Sequence, residues 1–188
     1  MNQENYSSED KEEDNDNEVT LTPMSEDIIY DNSIYDYGID KKLIPIGHPV
    51  PCIGSHYNCH GWALGYKEWI NIIHKKTDNI SLNDQIEISC KEKGITEEDI
   101  FTDQIVTYAR SETKQLVSTD NNGCVEGAIA AYYKDQNLTH TARYKKSSVD
   151  DNTLTWSSKL GDGHVVEHET VEDLMPIYGD IIDFYNLT

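Results

Sequence analysis

A change of hydrophobic period near residue 100 constrains the fold of this chain more than any other feature. Upstream of it, Cys59, Trp62, Tyr66, Ile70 and Ile73 recur in steps of three and four, the stripe of an amphipathic helix. Asn58 stands where an N-cap belongs, and Lys75 and Lys76 suit the C-terminal end of such a helix. A second, weaker helical pattern covers Leu82–Lys93. From Gln104 onward the period falls to two. Residues 104–109 are short and β-rich, and Ile129, Ala131 and Tyr133 share one face of a strand over 127–134. His140, Ala142 and Tyr144 alternate with Thr139, Thr141 and Arg143, so His140 is expected to open a strand at the sheet edge. Residues 148–152 read as a polar turn, Leu154, Trp156 and Ser158 as one face of the next strand, and 181–185 as a closing strand. A helix followed by an antiparallel meander is an α+β layout, with the helix packed on a sheet or part-barrel.

Charge divides the chain further. Residues 1–40 hold thirteen acids and one lysine, a net of −12, while the other 148 residues carry 22 acids against 14 Lys or Arg, a net of −8. The first twenty residues lack the apolar content to offset their ordering entropy, which predicts a disordered acidic tail over 1–20. An irregular acidic lead-in follows over 21–39, where prolines begin that interrupt regular structure from Pro23 to Pro51. One folded domain is expected over 40–188. The acidity argues against nucleic acid and anionic membranes as partners and for a cationic peptide or basic protein. No run approaches the ~20 apolar residues of a membrane span. The N-terminus lacks the basic start and apolar run of a secretory signal, so the expected location is the cytoplasm, or export by a route that reads no classical signal.

Four cysteines, at 52, 59, 90 and 124, include no CxxC pair and are too sparse for a disulfide scaffold, so reduced thiols are expected. Cys59 differs from the rest by its place in the first turn of a capped helix. Free N–H groups and the positive end of the dipole favour a thiolate there. A metal site is the competing reading, because Cys52, His56, Cys59 and His60 lie within nine residues. Their C-x3-H-x2-C-H spacing matches no familiar zinc pattern, and adjacent Cys59 and His60 point in different directions on a helix. The C-terminal acids are too scattered for an EF-hand loop. No metal or cofactor is expected.

The segment Asn58-Cys59-His60-Gly61-Trp62-Ala63-Leu64 resembles the nucleophile motif of NlpC/P60 peptidases. In that motif an acid, Cys, Ser, Gly and an aromatic residue open the catalytic helix. Asn58 stands for the acid, His60 for the Ser and Trp62 for the aromatic. Gly61 permits close approach of another backbone or a substrate. The runs Gly127-Ala128-Ile129-Ala130-Ala131-Tyr132-Tyr133 and Thr139-His140-Thr141-Ala142-Arg143-Tyr144 resemble two adjacent strands of the same family, whose catalytic His opens the second. Trp156-Ser157-Ser158-Lys159-Leu160-Gly161 takes the place of the strand that orients the imidazole. The resemblance covers roughly 57–160.

It implies a papain-like fold with an N-terminal catalytic helix on an antiparallel sheet. It further implies a cysteine-dependent peptidase or amidase, with Cys59 as nucleophile, His140 as base and Ser158 as the third residue. His164 or a backbone carbonyl are the rivals for the orienting role, and His164 and His168 are the weaker rivals of His140 as the base. A Gln deamidase would use the same pair, and a signal-less hydrolase of this size would suit a secreted effector toxin. The other class of reading is a non-catalytic papain-like binding module, such as an acidic immunity or inhibitor protein.

Overall fold

The computed structural model describes residues 44–45, 57–73, 75–76, 78–101, 107–161 and 165–188. The acidic segments 1–20 and 21–39 lie outside the described residues, as do Cys52, His56 and His164.

The fold is α+β, as the period change predicts. Helix α1 is Cys59–Leu64 and helix α2 is Leu82–Lys93. Among the described residues seven antiparallel strands form one sheet: β1 (Ile44–Pro45), β2 (Leu116–Thr119), β3 (Ile129–Lys134), β4 (Asn137–Lys146), β5 (Leu154–Lys159), β6 (Val165–His168) and β7 (Ile181–Leu187). Their order across the sheet is β1-β6-β5-β4-β3-β7-β2. Strands β3 to β5 are thus part of the expected meander, β6 extends it as a strand the sequence reading did not include, and β7 returns to pair with the outer side of β3.

Helix α1 is shorter than its stripe predicts. Gly65 adopts φ 90°, and the Tyr66 N–H reaches back to the Gly61 carbonyl at 2.8 Å, closing a Schellman-type end. A side chain at Gly65 would also press on Thr107 Oγ1 at 2.5 Å. Beyond this stop, Tyr66 and Ile70 are still buried, but from non-helical backbone, and Ile73 is 80% exposed. Helix α2 matches its predicted span: Ser81 caps it through the Asp84 N–H, and Gly94 ends it at φ 66°. The expected strand over 104–109 is not seen at its described end, where Tyr108–Arg110 form a 3₁₀ turn. Residues 104–106 lie outside the described residues.

Each face of the sheet carries its own core. On one face, Ile129, Ala131, Tyr133 and Leu138 pack with Leu64 of α1 and Ile86 of α2. On the other, Ala130, Tyr132, Ala142 and Trp156 pack with Val171 and Leu174. The second cover is a 3₁₀ turn, Val171–Leu174, running into the short helix α3, Met175–Tyr178. Burying a side chain such as Leu64 or Leu174 contributes roughly 2 kcal/mol.

One irregularity decides which face the centre of β4 presents. The β3–β4 hairpin turns at Asp135 and Gln136, both at positive φ (50° and 68°), and pairs Tyr133 with Leu138. The register then shifts, so that Tyr132 pairs with His140. Thr139 is the extra residue, and its hydroxyl donates to the Tyr132 carbonyl at 3.1 Å and also to that of Tyr178. Leu138 therefore belongs to the α1 face, whereas His140 and Ala142 belong to the α3 face.

Candidate functional site

Asn58 builds the start of α1 with three hydrogen bonds. Its Oδ1 accepts from the Gly61 N–H at 2.9 Å and the Ile70 N–H at 3.3 Å, and its Nδ2 donates to the Ile70 carbonyl at 2.9 Å. The last bond explains why an amide stands where the peptidase motif has an acid, since a carboxylate would face that carbonyl without a proton to give. Asn58→Ala removes the cap and leaves the buried main chain of Ile70 unpaired. The expected cost is about 3 kcal/mol, read as a lower urea midpoint, with Asn58→Asp recovering only part of it.

Below Asn58, α1 is clamped to β4 and β5. Trp62 Nε1 donates to Ser157 Oγ at 3.0 Å, the Arg143 guanidinium lies 4.7 Å from the Trp62 ring centroid, and His60 Nδ1 shares a proton with Thr141 Oγ1 at 3.0 Å. Phe101 packs edge-on against Trp62 and Tyr57. Gly61 is needed because Glu68 and Tyr66 carbonyls crowd the position its Cβ would take. The close approach expected at this glycine is made by the chain's own backbone.

Cys59, the first residue of α1, is a buried free thiol. The main-chain N–H groups of Thr141, His60 and Cys59 itself favour its thiolate. Thr141 is free to do this because the β4–β5 ladder stops at Arg143–Ser157. The Tyr144 N–H donates to β3's side at the Ala128 carbonyl, 2.8 Å, so alternation turns the Thr141 N–H into the gap beyond the ladder. Burial nevertheless outweighs these donors and pushes the thiol up to about 11.

His140 lies inside β4, three residues from its start, and is wholly buried. This corrects its expected place at a strand opening. Its ring stacks on Tyr178 with centroids 3.9 Å apart and an angle of 10°, on the face opposite α1. Neither ring nitrogen has a hydrogen-bond partner, so no bond joins His140 to Cys59. Burial, with repulsion from His60 and His168, holds its imidazole well below the usual histidine range.

Ser158 is wholly buried and bonds to His168, not to His140: its Oγ lies 2.9 Å from His168 Nε2. His168 Nδ1 lies 2.8 Å from the Thr170 carbonyl. A carbonyl only accepts, so Nδ1 carries the proton and the Ser158 hydroxyl donates to Nε2. Among the described residues no group of three or more His, Cys, Asp or Glu could hold a metal ion. No helix among them is long and apolar enough to cross a membrane.

The sequence reading passed over Thr141, whose main chain and hydroxyl serve Cys59 and His60, and Lys159, a fully buried lysine on β5. The available signal for Lys159 was its alternation with Ser157 toward the helix-covered face.

Fold and site together define an α+β domain with a buried cysteine at a capped helix start, held against an antiparallel sheet. The chain belongs to the family described as a domain of unknown function, DUF7689, whose profile matches residues 53–186. It matches no curated protein and no solved structure.

Proposed function

We propose that this chain is a cysteine-dependent amide hydrolase with a papain-like arrangement, in which Cys59 attacks the acyl carbon and His140 is the base. One observation carries this reading: Cys59 is the first residue of a capped helix, where main-chain N–H groups favour its thiolate. Such donors favour a thiolate, and the same type of donor stabilises the oxyanion that forms as sulfur bonds to carbon. The amine leaves with a proton from the imidazole, and water then cleaves the thioester. In this reading β4 must re-pair around Thr139 so that His140 leaves Tyr178 and turns to the α1 face, where the sulfur lies. Ser158 acts at one remove, by fixing His168 on the same sheet face as His140. A Gln deamidase would run the same steps on a side-chain amide. The acidic chain favours a cationic peptide or basic protein as substrate. Its setting would be the cytoplasm, or export without a classical signal.

A second reading, a non-catalytic binding module, is favoured by the raised thiol and by the missing Cys59–His140 bond. Brief iodoacetamide treatment at pH 7 with mass-spectrometric mapping separates the two. An unassisted thiol that ionises at about 11 is only ~10⁻⁴ thiolate at that pH, and its burial would place it behind the half-buried Cys90 and Cys124. The hydrolase reading expects Cys59 to be labelled ahead of Cys52, Cys90 and Cys124, and His140→Ala to slow that labelling about tenfold or more. Labelling of Cys90 or Cys124 first leaves the binding module standing.

A further inference from the structure

The start of α2 closes a cavity of about 190 Å³ against the sheet. Its apolar walls are Ile72 and Ile80 on the approach to the helix, Leu82 in the first turn and Leu138 on β4. An apolar cavity of about 150 Å³ already holds a benzene ring, so this one has room for a single ring with small substituents. Cys59 is not among the lining residues.

The polar groups of the cavity lie at different depths. Gln85 of α2 is only 7% exposed. Its Nε2 donates to the Ile80 carbonyl at 3.2 Å, which turns its Oε1 away from that carbonyl, and the Oε1 has no hydrogen-bond partner. An enclosed acceptor without a donor is destabilising, and the missing partner is an N–H or O–H group. Nearer to solvent, Lys76 and Asp183 of β7 form an ion pair, with Nζ 2.7 Å from Oδ1 and 2.6 Å from Oδ2 and side chains 36% and 29% exposed. The same ammonium stands 4.9 Å from the ring centroid of Tyr133, another lining residue. An ion pair this exposed contributes little and parts readily. A ligand with one charge would exchange it for one other pair and strand a partner. A ligand with both charges exchanges one pair for two.

We infer that this cavity binds a free α-amino acid with a single aromatic ring and a ring hydroxyl, its carboxylate on Lys76, its ammonium on Asp183 and its hydroxyl donating to Gln85 Oε1. Each part of that molecule answers one feature of the cavity. The difference in exposure orients it, charges outward and hydroxyl inward, with the ring between Leu82, Leu138 and Ile72. A residue within a peptide lacks one or both of the two charges, so the free amino acid is favoured over a segment of chain. The inference is independent of the thiol chemistry at Cys59.

The test is a ¹H–¹⁵N chemical-shift titration of the full chain, reading the Gln85 side-chain amide, with L-tyrosine, L-phenylalanine and p-cresol as probes. L-Tyrosine is expected to bind with a Kd of about 0.3 mM. L-Phenylalanine leaves Gln85 without its donor, and p-cresol leaves the ion pair as it is. Each should bind about tenfold more weakly, the usual loss for one missing polar contact in a buried site. Gln85→Met, read on the amides of its neighbours, should weaken L-tyrosine about tenfold and leave L-phenylalanine unchanged, so that the two amino acids bind alike. Asp183→Asn should weaken both amino acids and leave p-cresol unchanged. Circular dichroism verifies folding, and should Gln85→Met not fold, the three probes on the wild-type chain decide alone. No shift with L-tyrosine at about 2 mM, several times the expected Kd, would overturn the inference. So would equal affinity of the wild-type chain for L-tyrosine and either of the other probes.

Discussion

Acidification from pH 7 to pH 4.5 is expected to cost this domain several kcal/mol of stability, well before most surface carboxylates take up protons. Among the described residues three histidines are buried: His60, His140 and His168. Burial holds the first at about 4 and the other two below the ordinary histidine value of 6.5. In the unfolded chain each binds its proton near that ordinary value. Between the two values the unfolded state binds more protons, so stability is complete above pH 6.5 and is lost as pH falls. His60 alone contributes about 3 kcal/mol across the window from 6.5 to 4, at ~1.4 kcal/mol per pH unit. His140 and His168 act in the same direction. With a urea slope of about 2 kcal/mol per molar, the midpoint should fall by more than about 1 M between pH 7 and pH 4.5. His140→Leu should flatten this dependence and hold or raise stability at pH 7, since it removes two buried nitrogens that have no partner. A midpoint constant from pH 7 down to 5 would show that these imidazoles are not buried as described.

Gly61→Ala is expected to be the most damaging single-atom addition in α1. The new Cβ would collide with the main-chain oxygen of Glu68 and sit 3.0 Å from that of Tyr66. Both obstacles are backbone, fixed by the helix end at Gly65 and by Asn58's grip on Ile70. Such overpacking should cost about 3 kcal/mol, a melting temperature lower by roughly 10 °C. Gly94→Ala is the control. Gly94 adopts a positive φ, 66°, but nothing lies within 4 Å of its Cβ position. It should lose only the ~1 kcal/mol of left-handed strain. Equal losses at the two positions would mean that the crowding at Gly61 is relieved elsewhere.

These two glycines show how the sequence informs and where it misleads. The span of α2 is legible because a cap, a basic last turn and a stopping glycine all agree. The strands from β3 to β5 are legible because turn residues separate clean alternations. The end of α1 is not, because Tyr66 and Ile70 continue the helical spacing by coincidence after the chain has turned at Gly65. Strand β2 was hidden by its shortness, and β6 by the scarcity of alternation in its four buried residues. At the site, the capped position of Cys59 could be read from Asn58 alone. The bond between Ser158 and His168 could not, because it joins β5 to its neighbour β6, a strand missing from the predicted set. Lys159 was passed over because a lysine in a strand is ordinarily a solvated residue.

A β-strand is read two residues at a time, and the extra residue at Thr139 shifts that reading frame. Counting alternate positions from the hairpin turn would assign His140 to the same side as Leu138, beneath α1 and beside the thiol. The inserted residue sends the imidazole through the sheet and leaves Thr141 under the helix instead. A relative of the same length that pairs regularly through position 139 would present the opposite lettering, with imidazole on the helix side and hydroxyl beyond. Aligning such a chain to this one by matching histidines would superpose residues that point to opposite sides of the same sheet. Whether the strand bulges between turn and histidine is therefore the first property to compare when sequences are set beside this one.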